Sequence, residues 1–285
     1  AELGCLYITF TGGEIFTRAD FFDIAFYAKE KGFALRLFSN GTLIDDEVAQ
    51  KLQKLSPLSV EVSLYALDAF LHERITGVPG SFDRTRMGLE ALHRRGVPVV
   101  IKCTAMTLNC QEIPALKAFA ESRGFGFAST FTVIPSVDGS RDVTRLRLTE
   151  DRLIDIFSSD ASYTAGVSYG GVKNYRPLCA AGFNSLYISP YGEVYPCVAL
   201  RESCGNVRGQ PLAVIWRSPV FEKFRRIEFD DLSECSECKD ASYCDRCAGV
   251  AWMETNDALG VSSHDCVLAR VRRQIVESRE VKPCT

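Results

Sequence analysis

Along the first half of the chain, short apolar runs alternate with stretches whose apolar positions recur at helical spacing, and glycines or turn sequences separate them. Residues 4–10, Gly-Cys-Leu-Tyr-Ile-Thr-Phe, are rich in β-branched and aromatic side chains and end at Thr11-Gly12-Gly13, which predicts a buried strand. From Arg18 to Lys31 the apolar residues Phe21, Phe22, Ile24, Ala25 and Ala28 follow the helical period, and Gly32 stops the segment. The unit then repeats. Strands are predicted over Ala34–Phe38, Ser59–Leu64, Val97–Ala105 and Phe125–Ile134, with helices over Asp45–Leu55, Ser81–Arg95 and Ile113–Ser122 between them. Asp45 is placed to cap its helix, and Glu47 and Lys51 form an i,i+4 pair. A further helical pattern runs from Thr149 to Phe157, opened by only half of a capping box.

This alternation predicts an α/β fold with a parallel sheet and right-handed crossovers, either an open doubly wound sheet or part of a β/α barrel. Both architectures are expected to bury both sheet faces and to carry function on the loops after the strands. The pattern lapses between Ser158 and Lys173. Beyond it, Leu186–Ile188 and Glu193–Tyr195 flank Pro190-Tyr191-Gly192 as a hairpin, and Leu212–Arg226 reads as one helix or two broken at Pro219. Few long helices are expected there. The expected organisation is an α/β domain over residues 1–157, a linker over 158–174, a cysteine-rich domain over 175–270 and a tail over 271–285.

Composition narrows the function classes. The 285 residues carry a formal net charge of -3, without the basic excess that phosphate-backbone binding demands, so nucleic acid is not an expected partner. No run of about eighteen apolar residues occurs, and Ala1–Phe10 lacks the basic region and cleavage site of a signal peptide, so no membrane partner and a cytoplasmic location are expected. In that compartment thiols stay reduced, and clustered cysteines are metal ligands more often than disulfides.

Eight of the twelve cysteines fall between Cys179 and Cys266. Cys179, Cys197, Cys235, Cys238, Cys244, Cys247 and Cys266 have ligand-like spacings; Cys204 has no obvious slot. Each CxxC, Cys235/Cys238 and Cys244/Cys247, supplies two thiolates from one turn of backbone. Zinc ribbons separate such pairs by about 12 to 20 residues, whereas five residues separate these. Seven ligands also exceed one tetrahedral site, which favours iron–sulfur clusters over zinc or buried free thiols.

The order Cys179, Gly192, Cys197, Cys235, Cys238, Cys244, Cys247, Cys266 resembles the SPASM domain, the auxiliary-cluster domain of radical S-adenosylmethionine (SAM) enzymes that modify peptides and proteins. The family has three residues between its fifth and sixth cysteines; here there are two, Asp245 and Arg246. The resemblance implies two auxiliary 4Fe–4S clusters, one on Cys179, Cys197 and Cys247, the other on Cys235, Cys238, Cys244 and Cys266. The first then lacks a fourth thiolate, which Cys204 supplies or which is left open for a substrate atom.

Thr11-Gly12-Gly13-Glu14 after the first strand resembles the same superfamily's motif for the methionyl amino group of SAM, with Ile15 in place of its usual proline. Asn40, Ser63 and Lys102 occupy places where relatives line the SAM pocket, although each also reads as an ordinary turn residue, strand-end hydroxyl or solvated lysine. The implied fold is a partial β/α barrel without its first βα unit. The CxxxCxxC loop that would hold the SAM-binding 4Fe–4S cluster is not in the sequence. The implied activity is hydrogen abstraction by a 5'-deoxyadenosyl radical from a peptide or protein, giving a thioether or carbon–carbon crosslink, with flavodoxin or ferredoxin as external electron donor. No side chain is identified as an acid or base. Two other readings stay open: an electron-transfer or binding module without SAM cleavage, and an α/β scaffold on a zinc-stabilised tail. Cys5 and Cys103 are expected as small core residues, Cys110 in a loop and Cys284 in the tail; His72, His93 and His264 are dispersed and assigned as no ligand.

Overall fold

A computed structural model describes residues 1–164 and 179–280. The chain divides into two compact units, residues 1–132 and 133–285.

In the first unit, strands β1 (Tyr7–Phe10), β2 (Ala34–Ser39), β3 (Ser59–Ser63), β4 (Val99–Thr104) and β5 (Gly126–Thr130) form a parallel sheet in the order β1-β2-β3-β4-β5. Sequential order without reversal is that of a β/α barrel segment and settles the choice against the doubly wound sheet. Helices α1 (Phe21–Glu30), α2 (Asp46–Leu55), α3 (Ala69–Thr76), α4 (Ser81–Arg94) and α5 (Ile113–Ser122) fill the connections. Asp45 caps α2 by accepting a hydrogen bond from Val48 N at 2.8 Å, and Lys51 meets Glu47 at 2.7 Å. Helix α3 was not predicted; it occupies the Ala66–Pro79 connection, is capped by Asp68 and ends at Gly77 in the left-handed conformation.

The sheet is buried on one face only, which differs from the expectation for both architectures. The strand register aligns Leu35, Leu37, Ser39, Val60, Val62, Ile101 and Cys103 on one side, all buried, with the helices packed there. The other side carries Thr9, Arg36, Phe38, Glu61, Ser63, Lys102, Thr104 and Thr130, all partly or fully exposed. Cys5 lies before β1 and is exposed, so it is not a core residue, whereas Cys103 and Cys110 are buried.

In the second unit, helix α6 (Glu150–Ser159) packs along α11 (Ser263–Glu280). Between them lie a three-stranded antiparallel sheet, β6 (Tyr187–Ile188), β7 (Glu193–Tyr195) and β8 (Gly205–Asn206), and short helices α7 (Leu212–Ile215), α8 (Pro219–Arg226), α9 (Ser233–Ser236) and α10 (Ala248–Thr255). The predicted hairpin and the break at Pro219 are both present. Helix α11 has eighteen residues, and its residues 271–280 carry the helix into the stretch expected as a tail. Its polar faces hide its period: Arg270 pairs with Glu150, and Arg272 meets Asp245 at 2.8 Å. Residues 165–178 and Cys284 lie outside the described residues. Among the described residues no helix is long and apolar enough to cross a membrane.

The turn after β2 is held by close backbone packing. A Cβ on Gly88 of α4 would lie 2.3 Å from the Gly41 carbonyl oxygen. Alanine gains about 1 kcal/mol of helix propensity over glycine, and overpacking against backbone costs about 1–3 kcal/mol. Gly88→Ala should therefore lower stability by about 1–2 kcal/mol in urea unfolding; a stabilised variant would contradict this packing.

Candidate functional site

The loop after β1 carries Gly12, Gly13 and Glu14. A short 3-10 turn, Ile15–Thr17, follows, and Glu14 caps it by accepting from Phe16 N at 3.3 Å. The same carboxylate accepts from Ser39 Oγ at 2.9 and 3.0 Å and from Asn40 N at 2.7 Å. Thus Glu14 joins the ends of the first two strands. Ser39 Oγ in turn accepts from Gly41 N at 2.9 Å, Asn40 Oδ1 accepts from Thr42 N at 2.9 Å, and Thr85 Oγ1 donates to Asn40 O at 2.8 Å. The backbone of Asn40 is fixed from both sides.

Ser63 and Lys102 are register partners on the open face of the sheet. Lys102 is not an isolated solvated lysine: its Nζ lies 3.1 Å from Glu61 Oε2 and 3.9 Å from the centre of the Phe38 ring. Strand alternation from Lys102 and Ser63 would have found Glu61 and Phe38, which sequence reasoning missed. The structure therefore gathers Gly12, Gly13, Glu14, Asn40, Ser63 and Lys102 at the carboxyl ends of β1 to β4 or on one face of them, the end where β/α barrels place their sites.

In the second unit the cysteines separate by environment. Cys204 is buried with Val194, Ile215 and Phe221, and burial pushes its thiol up to about 11. It packs in the apolar core of this unit. The seven others are partly exposed. Among the described residues no three Cys, His, Asp or Glu side chains gather as a single metal ion would need. They nonetheless fall into two sets. Burial, followed by Asp265, Cys266 and Cys235, pushes the Cys244 thiol up to about 12. Burial and then the thiols of Cys235 and Cys238 raise Cys266, so these four side chains are electrostatic neighbours. Cys247 is raised by burial and also feels Asp265 and Cys179, while Val250 and Gly249 N–H at the start of α10 oppose the rise. Cys197 packs at the edge of the cluster formed by Leu200, Phe224, Ala248 and Ala258.

Asp265 ties the sets together. Its carboxylate accepts from Cys247 N at 2.9 Å, and its own N–H donates to Ser262 Oγ at 3.1 Å. Burial raises its pKa. His72 accepts from Tyr65 N at 3.3 Å in the first unit.

A parallel barrel segment with a Gly-Gly-Glu turn in one unit and clustered thiols in the other fit a SAM-radical α/β enzyme with auxiliary iron–sulfur sites. Residues 1–120 match the family model of the radical SAM superfamily, and residues 179–239 match that of SPASM, an iron-sulfur cluster-binding domain. The chain belongs to the radical SAM/SPASM family, whose cofactors are 4Fe–4S clusters and SAM. It is similar to the AdoMet-dependent heme synthase of Methanosarcina barkeri, 28% identical over 91% of this chain and 82% of that protein. It is also similar to the antilisterial bacteriocin subtilosin biosynthesis protein AlbA of Bacillus subtilis, 26% identical over 86% of this chain and 57% of that protein. In fold it resembles native anSMEcpe with bound AdoMet and Cp18Cys peptide, with a TM-score of 0.68 and 17% identity over 97% of this chain and 84% of the other.

The donor set fits auxiliary clusters: of seven partly exposed thiols, Cys235, Cys238, Cys244 and Cys266 are neighbours, Cys179 neighbours Cys247, and backbone N–H groups are directed at Cys247. Ligands for a SAM-cleaving cluster are not among these residues, since no CxxxCxxC occurs. Cys204→Ala should leave the iron content of the anoxically reconstituted protein unchanged while lowering stability by about 1–2 kcal/mol. Iron loss equal to that of Cys197→Ala would return Cys204 to the ligand set.

Proposed function

We propose that this chain is the SAM-binding and auxiliary-cluster part of an enzyme that oxidises a carboxylate-bearing tetrapyrrole at an unactivated carbon. The observation that carries this reading is the extent of the likeness to the heme synthase, which spans 91% of this chain and 82% of that protein. Modification of a peptide or protein, with a thioether or carbon–carbon crosslink as product, is the second reading. Its support is the likeness to AlbA and the fold shared with a peptide-bound relative.

When bound, SAM at a reduced cluster supplies the hydrogen-abstracting radical. The residues of this chain position and enclose. Gly12 and Gly13 leave the loop after β1 free of side chains, and the Glu14 carboxylate, oriented by Ser39 and Asn40, takes the cationic methionyl amino group. Asn40, Ser63 and Lys102 line the remainder, with Lys102 held by Glu61 and Phe38. Cys179, Cys197 and Cys247 hold one auxiliary cluster, and Cys235, Cys238, Cys244 and Cys266 the other. An external flavodoxin or ferredoxin supplies electrons.

The test uses the full-length gene product, purified and reconstituted without oxygen, with SAM, a reductant and iron coproporphyrin III. Release of 5'-deoxyadenosine that depends on the porphyrin, with a mass change in the porphyrin, is the expected result. An inert porphyrin beside a peptide that stimulates SAM cleavage and gains a crosslink would replace this reading with the second. Glu14→Gln should weaken SAM binding about tenfold, the loss of one charge-assisted hydrogen bond, and Cys238→Ala should remove one cluster's spectroscopic signal.

A further inference from the structure

Arg201 is a half-buried cation that meets no anion among the described residues. Its guanidinium carbon lies 4.9 Å from the centre of the Tyr187 ring and 5.3 Å from that of Tyr195. Those rings stack across the β6–β7 pair with centroids 6.2 Å apart. The Nε is buried without a hydrogen-bond partner. Arginine stays charged at any physiological pH, and a desolvated charge without a partner is costly. Other arginines here show the ordinary solution. Arg246 and Arg272 also have a buried, unpartnered Nε, but Arg246 donates through Nη2 to the carbonyls of Ala258 and Gly260, and Arg272 pairs with Asp245 at 2.8 Å.

Among the described residues no ion pair or hydrogen bond reaches Arg201; its contacts are the two tyrosine rings. The nearby acids are engaged elsewhere. Glu193 accepts from Asn206 Nδ2 and Ser203 Oγ, each at 2.7 Å, and Glu202 pairs with Lys223 at 3.1 Å. Residues 165–178 and 281–285 contain no Asp or Glu. Among the described residues the guanidinium is thus left open to an anion carried by a ligand.

We propose that Arg201, backed by Tyr187 and Tyr195, is a substrate-binding residue that takes a carboxylate of the substrate in the cysteine-bearing unit. Ring contact fixes the plane of the guanidinium, and its fork of N–H donors matches a carboxylate in a bidentate way that a lysine does not reproduce. A propionate of a tetrapyrrole as the carboxylate rests on the reading above; the unpaired cation does not.

The experiment measures binding of iron coproporphyrin III and of its methyl ester to the reconstituted full-length protein by absorbance titration, in wild type, Arg201→Gln and Arg201→Lys. The wild type should favour the acid over the ester by at least about tenfold, the size expected for a charge-assisted pair. Arg201→Gln should erase that preference and Arg201→Lys keep part of it, with iron content unchanged. An acid preference that survives in Arg201→Gln overturns the proposal. So does unchanged porphyrin affinity with a shifted auxiliary-cluster midpoint potential, which would make Arg201 the counter-ion of a cluster. If the wild type binds neither porphyrin, the tetrapyrrole reading fails, and protection of Arg201 from phenylglyoxal by benzoate, read by mass spectrometry, decides separately. Protection supports a carboxylate site; equal modification with and without benzoate overturns it.

Discussion

The first unit depends on a parallel sheet that is buried on only one face. Helices cover the side lined by Leu35, Leu37, Val60, Val62 and Ile101, and there the strands obey the rule that parallel sheets hide from water. The other side keeps Arg36, Glu61, Ser63 and Lys102 in alternation with that core. A polar face of this kind is unstable as packing and useful as a lining. Glu14 makes it a site rather than a surface: one carboxylate collects donors from Ser39 and Asn40, so the loops after β1 and β2 present their groups together. The Gly88–Gly41 approach holds that turn against α4 from behind.

The second unit solves a different problem, since short strands and one-turn helices bury little apolar area for their length. Its cysteines divide accordingly. Cys204 behaves as a small apolar side chain among Val194, Ile215 and Phe221. The seven others stay at the margin of such cores, where burial raises several of the thiols and so disfavours the thiolate. Ligation by iron would reverse that cost, because a metal takes the thiolate form. Folding of this unit and filling of its clusters are thereby coupled. Asp265 supplies the covalently independent link, fastening Cys247 to the start of α11 beside Cys266.

Much of the first unit was legible because its signals are local. Hydrophobic period, Gly32, Gly96 and Gly124 at helix ends, and the Asp45 cap mark elements without reference to the rest of the fold. Helix α3 was missed because its apolar residues are few and Phe70 is exposed. Helix α11 was missed because arginines that pair with Glu150, Asp240 and Asp245 interrupt its apolar stripe. The cysteine spacing identified the cluster region, yet it left Cys204 undecided, since burial of one thiol among apolar neighbours is a tertiary fact. Arg201 was invisible for the same reason, whereas Glu61 and Phe38 lay within reach of strand alternation and only their pairing with Lys102 is tertiary.

The fold does not select the substrate, and this chain is similar both to a relative named for heme synthesis and to one named for bacteriocin biosynthesis. Radical chemistry is supplied by the cofactors, so it is common to both. Discrimination must therefore reside in side chains that neither bind SAM nor ligate iron and that retain unsatisfied valence in the substrate-free protein. Tetrapyrroles and peptides differ in the number and spacing of their carboxylates more than in their reacting carbons. A fixed guanidinium senses that difference at low entropic cost, since its aromatic contacts have already removed the rotamer freedom that binding would otherwise consume. Substrate choice by this chain would then rest on Arg201 of the cysteine-bearing unit more than on the Gly-Gly-Glu turn.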